Sequence, residues 1–443
     1  MKYRAVRRMA WIIAGVILVC SAFLSVSAAE DADGVALLDT GYNVNVRMRY
    51  ISRDEGDEDW INSTHLKAIR TAYSLPEGFV PTEDNTVSAA ESAYPIYIFF
   101  ENEGEAGIMY FYTEAGTIRM NPDSSRMFTG HYDLTDISGL QDWDASGVTT
   151  MYAMFSKNRS LPDALALRNW DTSNVTNMAY MFSGDSSLMY IDVSSWNTGK
   201  VTTMDSMFQV GNSFQGNGQL REILGIGSLD VSGVTDMTCM FYGAGKMTRY
   251  DIGGWDVSRV ESMNHMFCDN ESLRELDLSK WDVSSLKTVH CMFDDNFSLK
   301  TIGDVSHWNT ASLIDAGGWL NYATSFIGDD NGRLDLSGWD TRNLKAAGEM
   351  FLYTQLRKID LSGWLFDAVT NEGWEGAGTG IYYEYGNDYE ALRGFGQMFA
   401  HTAFLTEVTV SKEGLDSFST AVANGANTVD MWTESNCKGF TVK

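Results

Sequence analysis

The chain repeats one motif at a spacing of 26 or 27 residues. An anchor tryptophan precedes Asp or Asn and a short run of small polar residues, and the unit closes on Met-Phe. In one copy, Trp281-Asp282-Val283-Ser284 leads to Met292-Phe293. Such self-similarity is typical of repeat architectures, in which no single copy buries its apolar face alone. The repeat therefore constrains the fold more than any local pattern does.

Nine units align on their anchors, and most anchors lie 25 to 27 residues apart. The anchors are Trp143, Trp170, Trp196, Leu229, Trp255, Trp281, Trp308, Trp339 and Trp364. In seven units a closing phenylalanine follows the anchor by 12 residues, at Phe155, Phe182, Phe208, Phe241, Phe267, Phe293 and Phe351. We expect the seventh unit to close at Phe326 and the ninth at Phe399. The period lies within the leucine-rich-repeat range.

Each unit has two halves with different apolar periods. Before the anchor, Leu276-Asp277-Leu278 alternates apolar and polar residues, which indicates a short strand with one buried face. After the anchor, apolar residues such as Val175, Met178 and Met181 are three apart, which indicates about two turns of α- or 3₁₀-helix. We interpret the recurring methionine and phenylalanine as packing residues of a shared interior.

The polar residue directly after the anchor also recurs. Side chains of this type bond their own backbone two residues further on and cap a following helical turn. We therefore predict a structural role for Asp171, Asn197, Asp230, Asp256, Asp282, Asn309 and Asp340.

These units resemble the BspA-type leucine-rich-repeat surface proteins, whose repeat is also called the mycoplasma-lipoprotein repeat. The resemblance rests on Leu276-Asp277-Leu278-Ser279-Lys280-Trp281-Asp282-Val283-Ser284 and on the Met-x-x-Met-Phe closure, and it extends over roughly residues 94–410. It implies a secreted or surface-displayed bacterial protein, often an adhesin, and it carries over no catalytic residues.

The sequence therefore predicts an α/β fold, a leucine-rich-repeat solenoid in which short parallel strands alternate with short helical turns, preceded by an N-terminal α+β cap. The expected organisation is a signal peptide at 1–29, a cap at 30–130, about nine repeats at 131–410 with an insert at 371–393, and a C-terminal cap or tail at 411–443.

Local patterns predict several elements outside the regular repeats. Within the cap, the spacing of apolar residues from Asn62 to Tyr73 favours a helix. Three segments favour strands, at 94–100, 108–112 and 117–120, and another strand is expected at 405–410.

Residues 1–29 combine a basic start, an apolar run and the small residues Ser27-Ala28-Ala29, as in a secretory signal peptide. An uncleaved membrane anchor is the alternative, although the apolar run is shorter than the roughly 20 residues of a span. The segment has four basic residues and no acidic ones, so cleavage takes the net charge from −27 to −31. That charge argues against nucleic acid or an anionic membrane as partner.

Four cysteines follow the signal segment, at Cys239, Cys268, Cys291 and Cys437. Cys239 and Cys291 occupy the same position two units apart, about 10 Å by strand spacing, which is too far for a disulfide. A disulfide between Cys268 and either Cys239 or Cys291 is the alternative that the sequence leaves open. We favour the interpretation that these cysteines are buried free thiols. No pair of short cysteine spacings indicates a zinc site, and we predict no metal ligands.

The candidate binding residues form a column. The middle residue of the predicted strand is Asp in six units, and we call Asp192, Asp251, Asp277, Asp304, Asp335 and Asp360 the aspartate column. Stacked carboxylates about 5 Å apart would repel by about 0.8 kcal/mol per pair in water. Either these groups bond to the backbone or to a serine of the following turn, or they bind a ligand or Ca²⁺.

We expect a binding protein, an adhesin that recognises a host or neighbouring-cell protein or glycan, monomeric and located in the secreted fraction or on the cell surface. A structural spacer without a specific ligand is the second interpretation, and a hydrolase using the 371–393 insert is the third. The histidines show no nucleophile or HExxH signature, so we predict no enzyme. His265 and His290 are expected at the surface or partly packed.

Overall fold

The computed structural model describes residues 34–53, 65–103, 106–211, 218–371 and 394–443. The expected signal peptide and nearly all of the 371–393 insert lie outside these residues. Among these residues, the α-helices are α1 (Gly41–Ile51) and α2 (Lys412–Ala423). The strands are β1 (Val35–Leu37), β2 (Leu66–Thr71), β3 (Tyr97–Glu103), β4 (Ala106–Tyr112), β5 (Thr117–Arg119), β6 (Tyr190–Asp192), β7 (Glu222–Leu224), β8 (Arg333–Asp335), β9 (Lys358–Asp360), β10 (Glu407–Val410) and β11 (Thr441–Val442).

The N-terminal region contains a small mixed sheet ordered β2-β4-β3, with β2 parallel and β3 antiparallel to β4. The helix expected from Asn62 to Tyr73 is wrong where the structure describes that segment, because Leu66–Thr71 is strand β2. Its pairing with β4 shifts register between Leu66 and Ala68, and Leu66, Ala68 and Ile69 are all buried. Because of this irregularity, buried residues of the strand such as Leu66 and Ile69 are three positions apart, which is the spacing expected of a helix.

Successive repeats are joined by a parallel ladder of backbone hydrogen bonds. Every second N–H in the segment after the anchor points into the following repeat. Met178 donates to Thr203 O at 3.3 Å, Tyr180 to Asp205 O at 2.8 Å, and Phe182 to Met207 O at 3.0 Å. One residue in each unit forms a parallel bridge with its equivalent in the next, at Asp123, Thr150, Asn177, Thr203, Asp236, Ser262, Thr288, Asp315, Ala346 and Gly394.

The segment after the anchor is therefore not helical, and the prediction of helical turns there is wrong. The intervening N–H groups close tight turns, as from Met181 to Met178 O at 3.3 Å, and Tyr180 has a left-handed φ of 60°. The equivalent residue is left-handed at Arg126, Ala153, Tyr180, Ser206, Cys239, His265, Cys291, Gly318, Glu349, Gln397 and Asp430. Alternate N–H groups therefore reach the neighbouring unit, while the methionines and phenylalanines still face inward. The 3₁₀ helices lie before anchors, at Ser138–Leu140, Leu165–Leu167 and Ile226–Ser228.

Aromatic side chains fill the interior in two sets, which together we call the inner file. The closing phenylalanines stack between repeats: Phe155, Phe182 and Phe208 have ring centroids 5.7 and 6.0 Å apart along the chain. Each anchor tryptophan after Trp143 donates its indole N–H to a backbone carbonyl of the preceding unit, as Trp170 does to Leu140 O at 3.0 Å. All eight anchor tryptophans and all seven closing phenylalanines at the 12-residue spacing are buried.

The seventh unit closes on a different residue from the one expected. Leu320, 12 residues after Trp308, donates to Met350 O at 3.0 Å, and Phe293 donates to Trp319 O at 3.0 Å. Trp319-Leu320 therefore replaces Met-Phe in the ladder, whereas Phe326 lies further along the unit and is buried. In the ninth unit Phe399 occupies the closing position, as expected, and stacks on Phe351 at 5.6 Å.

The ladder extends past both ends of the expected 131–410 range. At the start, the turn after Asp123 is covered by α1, where the Asn45 amide donates to the carbonyls of Met127 and Thr129, each at 3.1 Å. At the other end, Phe399 donates to Met431 O at 3.0 Å, so the expected tail contains a further ladder turn. The segment also contains α2 and β11.

Candidate binding face along the aspartate column

The aspartate column is built from repeated local turns. Asp277 accepts hydrogen bonds from the Ser279 backbone N–H at 3.1 Å and from the Ser279 hydroxyl at 2.5 Å. The serine two residues after Asp192, Asp304, Asp335 and Asp360 donates its backbone N–H to the carboxylate in the same way. At Asp251 the equivalent residue is Gly253, and no described residue donates to this carboxylate. Five of the six carboxylates thus close an Asx turn before the anchor.

A second row of Asx turns follows the anchors. Each of the seven Asp and Asn residues directly after an anchor accepts a hydrogen bond from the backbone N–H two residues on, as Asp282 does from Ser284 at 3.0 Å. The predicted structural role of these side chains is confirmed, although no helical turn follows them.

At the two ends of the aspartate column, basic side chains form ion pairs with the carboxylates and offset their negative charge. Arg168 lies 3.3 Å from Asp192, and Arg333 bonds both Asp335, at 2.8 Å, and Asp360, at 3.0 Å. Asp335 and Asp360 are direct partners in the β8–β9 pairing, so Arg333 bridges two carboxylates that are adjacent in the column. At the other end Asp192 pairs with Leu224, which interrupts the column before Asp251.

The middle of the column is exposed and without ion pairs among the described residues. It consists of Asp251, Asp277 and Asp304. Hydrogen bonds from the hydroxyl and backbone of Ser279 lower the pKa of the Asp277 carboxyl, and Ser306 lowers the pKa of Asp304 in the same way. The Asp277 and Asp304 carboxylates are therefore ionised at neutral pH and offer negative charge to solvent.

Three shallow grooves border the same face. One of about 680 Å³ lies beside Asp251 and is lined by Arg221, Glu222 and Arg249. A second of about 470 Å³ lies between Asp304 and Asp335. The third, of about 410 Å³, lies beside Asp360 and is lined by Lys358, Glu407 and Lys443 among others.

The first two grooves coincide with the longer units of the repeat. The groove beside Asp251 is bounded by the segment around Gly225 that precedes Leu229, and the one beside Asp304 contains Asp329 and Asp330 of the enlarged seventh unit. Neither these two aspartates nor the bridging Arg333 were among the binding residues predicted from the sequence. The longer anchor spacings, of 33 and 31 residues, were the sequence signal that marks the units beside the two grooves.

Aromatic side chains are sparse on this face. Tyr190, two residues before Asp192, is 39% exposed. The stacked set of Tyr322, Tyr353 and His401 lies instead at turn positions after the ladder bridges, with centroids 4.6 and 4.4 Å apart. The face along the column is therefore mainly charged, with both signs present.

The histidines are placed differently from the expectation. His265 and His290 are buried, not at the surface, and His131 is completely buried. Burial, helped by Arg49, lowers the pKa of His131 to about 3. In the described part of the chain, ligand atoms from three or more His, Cys, Asp or Glu residues converge only at His265, His290 and Cys291, which lie in the turns and not in the column. Cys239, Cys268, Cys291 and Cys437 are buried free thiols.

In the residues that the structure describes, no helix combines the length and apolar character needed to cross a bilayer.

No curated protein sequence matches the chain. One family model does match, described as "Mycoplasma protein of unknown function, DUF285", over residues 123–223, 216–333 and 303–374. These overlapping segments cover more than half of the 443 residues and coincide with the stacked units. The resemblance to the mycoplasma-type repeat is thereby confirmed, and the chain belongs to the DUF285 family.

Proposed function

We propose that the stacked units are leucine-rich repeats of the BspA type forming a solenoid, and that the protein is a secreted or surface-displayed adhesin. Its ligand is a protein or glycan of a host or neighbouring cell, bound through the face that carries the aspartate column. The parallel bridges at a nearly constant period support the solenoid, and the resemblance described above supports the surface role.

The observation that carries the binding role is the exposed, uncompensated middle of the column between two grooves. Asp251, Asp277 and Asp304 project from successive units, and no described basic residue pairs with them. At Asp277 and Asp304, the bonds from Ser279 and Ser306 fix the carboxylate orientation before any ligand arrives, which lowers the entropic cost of binding. A ligand with spaced cationic groups, or one bridged by Ca²⁺, complements this arrangement.

The test begins with an array of glycans and extracellular-matrix proteins, probed with purified protein in the presence and absence of Ca²⁺. The strongest binder is then titrated against the triple variant Asp251→Asn, Asp277→Asn, Asp304→Asn. At Asp277 and Asp304, Asn retains the oxygen that closes the Asx turn, and Asp251 closes no such turn, so the fold should persist. We expect at least a tenfold loss of affinity, which is about 1.4 kcal/mol.

A matched control removes the same three charges from the second row of turns, with Asp171→Asn, Asp256→Asn and Asp282→Asn. These aspartates form the same type of turn with Ser173, Ser258 and Ser284. We expect the control to bind like the wild type. Equal affinity of both triple variants would eliminate the column as the binding face.

A spacer without a specific ligand is the second candidate. The observation in its favour is that the face is mixed in charge and has a single exposed tyrosine, Tyr190, among its described residues, whereas ligand-binding surfaces are enriched in aromatic side chains. An array without reproducible binders, in either Ca²⁺ condition, would favour this role over adhesion.

A further inference from the structure

Three metal-ligating side chains from two neighbouring repeats converge near the middle of the stack. One potential ligand atom from each of His265, His290 and Cys291 lies within 4.8 Å of the other two. His265 and Cys291 occupy the same left-handed position of successive turns, with φ of 52° and 50°. The His265 N–H donates to His290 O at 2.9 Å, so the ladder itself sets the separation of the three side chains.

The three side chains are held in place by packing and hydrogen bonds. They are 5 to 7% exposed. Nδ1 of His290 lies 3.3 Å from Asp315 Oδ1, and the His290 backbone N–H donates to Asn264 Oδ1 at 3.0 Å. A carboxylate on one ring nitrogen orients the imidazole and directs its other nitrogen to a metal, an arrangement common in metal sites.

The surroundings of the cluster are acidic. The carboxyl groups of Asp294, Glu349 and Asp315 lie close enough to Cys291 to act on it electrostatically. Oδ1 of Asp294 is buried and accepts no hydrogen bond from the described residues. A bound cation would stabilise both the thiolate and the neighbouring carboxylates.

The next turn has glycines at the positions equivalent to His290 and Cys291. Gly317 and Gly318 follow His290 and Cys291 in the ladder, where the Cys291 N–H donates to Gly317 O at 2.9 Å. Because glycine has no side chain, these positions supply neither a competing ligand nor a steric block to a small ion.

We propose that His265, His290 and Cys291 form a binding site for one borderline divalent cation of the Zn²⁺ class. Two imidazoles and one thiolate match the nitrogen and sulfur preference of such ions, and three protein ligands leave a fourth position for water. Asp315 orients His290 from outside the coordination shell. The ion crosslinks two repeats at a position separate from the aspartate column, whose oxygen ligands suit Ca²⁺ instead.

The experiment titrates metal-free purified protein with Zn²⁺ against a competing chromophoric chelator and, in parallel, with Co²⁺ while recording absorption. We expect one high-affinity ion per chain and a sulfur-to-cobalt charge-transfer band. Cys291→Ser should abolish the band and weaken Zn²⁺ binding at least 100-fold, whereas Asp315→Asn should weaken it about tenfold, the lower end of losses for groups that orient a ligand.

Cys239→Ser is the matched control, since Cys239 occupies the same left-handed position one turn before His265. This variant should retain the wild-type stoichiometry, band and affinity. A wild type that binds no stoichiometric Zn²⁺, or a Cys291→Ser variant that binds it like the wild type, would overturn the proposal.

A measurement on the unaltered chain covers the case in which Cys291→Ser does not fold. The thiols of Cys239, Cys268, Cys291 and Cys437 are alkylated with iodoacetamide, with and without Zn²⁺, and the modified peptides are mapped by mass spectrometry. We expect Zn²⁺ to slow alkylation of Cys291 selectively. Rapid alkylation of Cys291 that Zn²⁺ does not change would identify a reactive thiol and contradict the metal site.

Discussion

The inner file and the aspartate column are made from the same repeat, yet they are stabilised in different ways. Phe267 stacks on the phenylalanines of both adjacent units, and Trp281 donates its indole N–H to Ile252 O in the preceding unit. In the column, Asp277 bonds Ser279 within its own turn. Interior contacts cross between repeats, whereas most column contacts are local.

This difference separates stability from surface chemistry. Removing an interior side chain affects two neighbours at once, because a buried aromatic ring fills space that cannot readily collapse. Changing a column side chain disturbs one turn that is already in contact with water, where polar interactions contribute little net free energy. One repeat can therefore maintain its stack while its exposed face changes.

The sharpest test of this comparison is a cavity in the inner file. Phe267→Ala should lower the free energy of unfolding by about 3–5 kcal/mol, because the ring is buried and stacks on Phe241 and Phe293, each at 5.5 Å. Phe267→Leu, which retains most of the volume, should cost less than about 1.5 kcal/mol. Urea unfolding followed by circular dichroism measures both. An alanine variant within 1 kcal/mol of the wild type, on the order of a surface change, would contradict the role of the stack.

Acid should weaken the interior before it weakens the column. The pKa of His131 is about 3 in the folded chain and 6.5 unfolded, so the unfolded chain takes up a proton first as the pH falls. Stability from the neutral histidine is present above pH 6.5 and decreases toward pH 3. Between pH 6.5 and about pH 4.5 the loss should be roughly 2–3 kcal/mol.

The variant His131→Gln should show a flatter dependence of unfolding free energy on pH over that range. Asp277→Asn serves as the comparison, since the lowered pKa of Asp277 means that its contribution to stability is fully present above its ordinary value of 3.8 and is lost only as the pH falls below it. Parallel pH curves for wild type and His131→Gln would show that His131 does not carry this effect.

The smallest effect is expected in the column itself. Asp304→Asn should change the unfolding free energy by no more than about 0.5 kcal/mol, because Asn still accepts the Ser306 N–H. Asp304→Ala removes the acceptor and should cost about 1 kcal/mol. Thermal unfolding distinguishes the two substitutions. A loss above roughly 3 kcal/mol for Asp304→Asn would place the column among the main sources of stability.

The buried residues could be predicted from the repeat, but the backbone between them could not. Period and residue type identified the anchors, since tryptophans that recur in eight of nine units can all be buried only in an interior that the units share. The spacing of Met178, Met181 and Phe182 fits a helix equally well, and the left-handed residue Tyr180 has no side-chain signature. In the seventh unit, Trp319-Leu320 fills the closing position with unexpected residue types, which drew the prediction to Phe326 instead.

The candidate sites were predictable to different degrees. The serine two residues after Asp277 made an Asx turn a foreseeable alternative, and the structure contains it. The bridging role of Arg333 depends on which strands are adjacent, which the sequence alone does not state. The proximity of His265 to Cys291 has the same origin, because residues 26 positions apart meet only through the register of stacked turns.

The ladder also determines where the chain can accommodate inserted residues. Ala346 pairs with Gly394 although 48 residues separate them, and Thr203 pairs with Asp236 across 33, whereas most bridged pairs are 26 or 27 apart. Extra residues are therefore accommodated wherever the chain leaves and rejoins the stack at matching bridge residues. Loops can be inserted or exchanged at such junctions without changing the buried residues. The surface can therefore diversify over evolution while the stacked units stay the same.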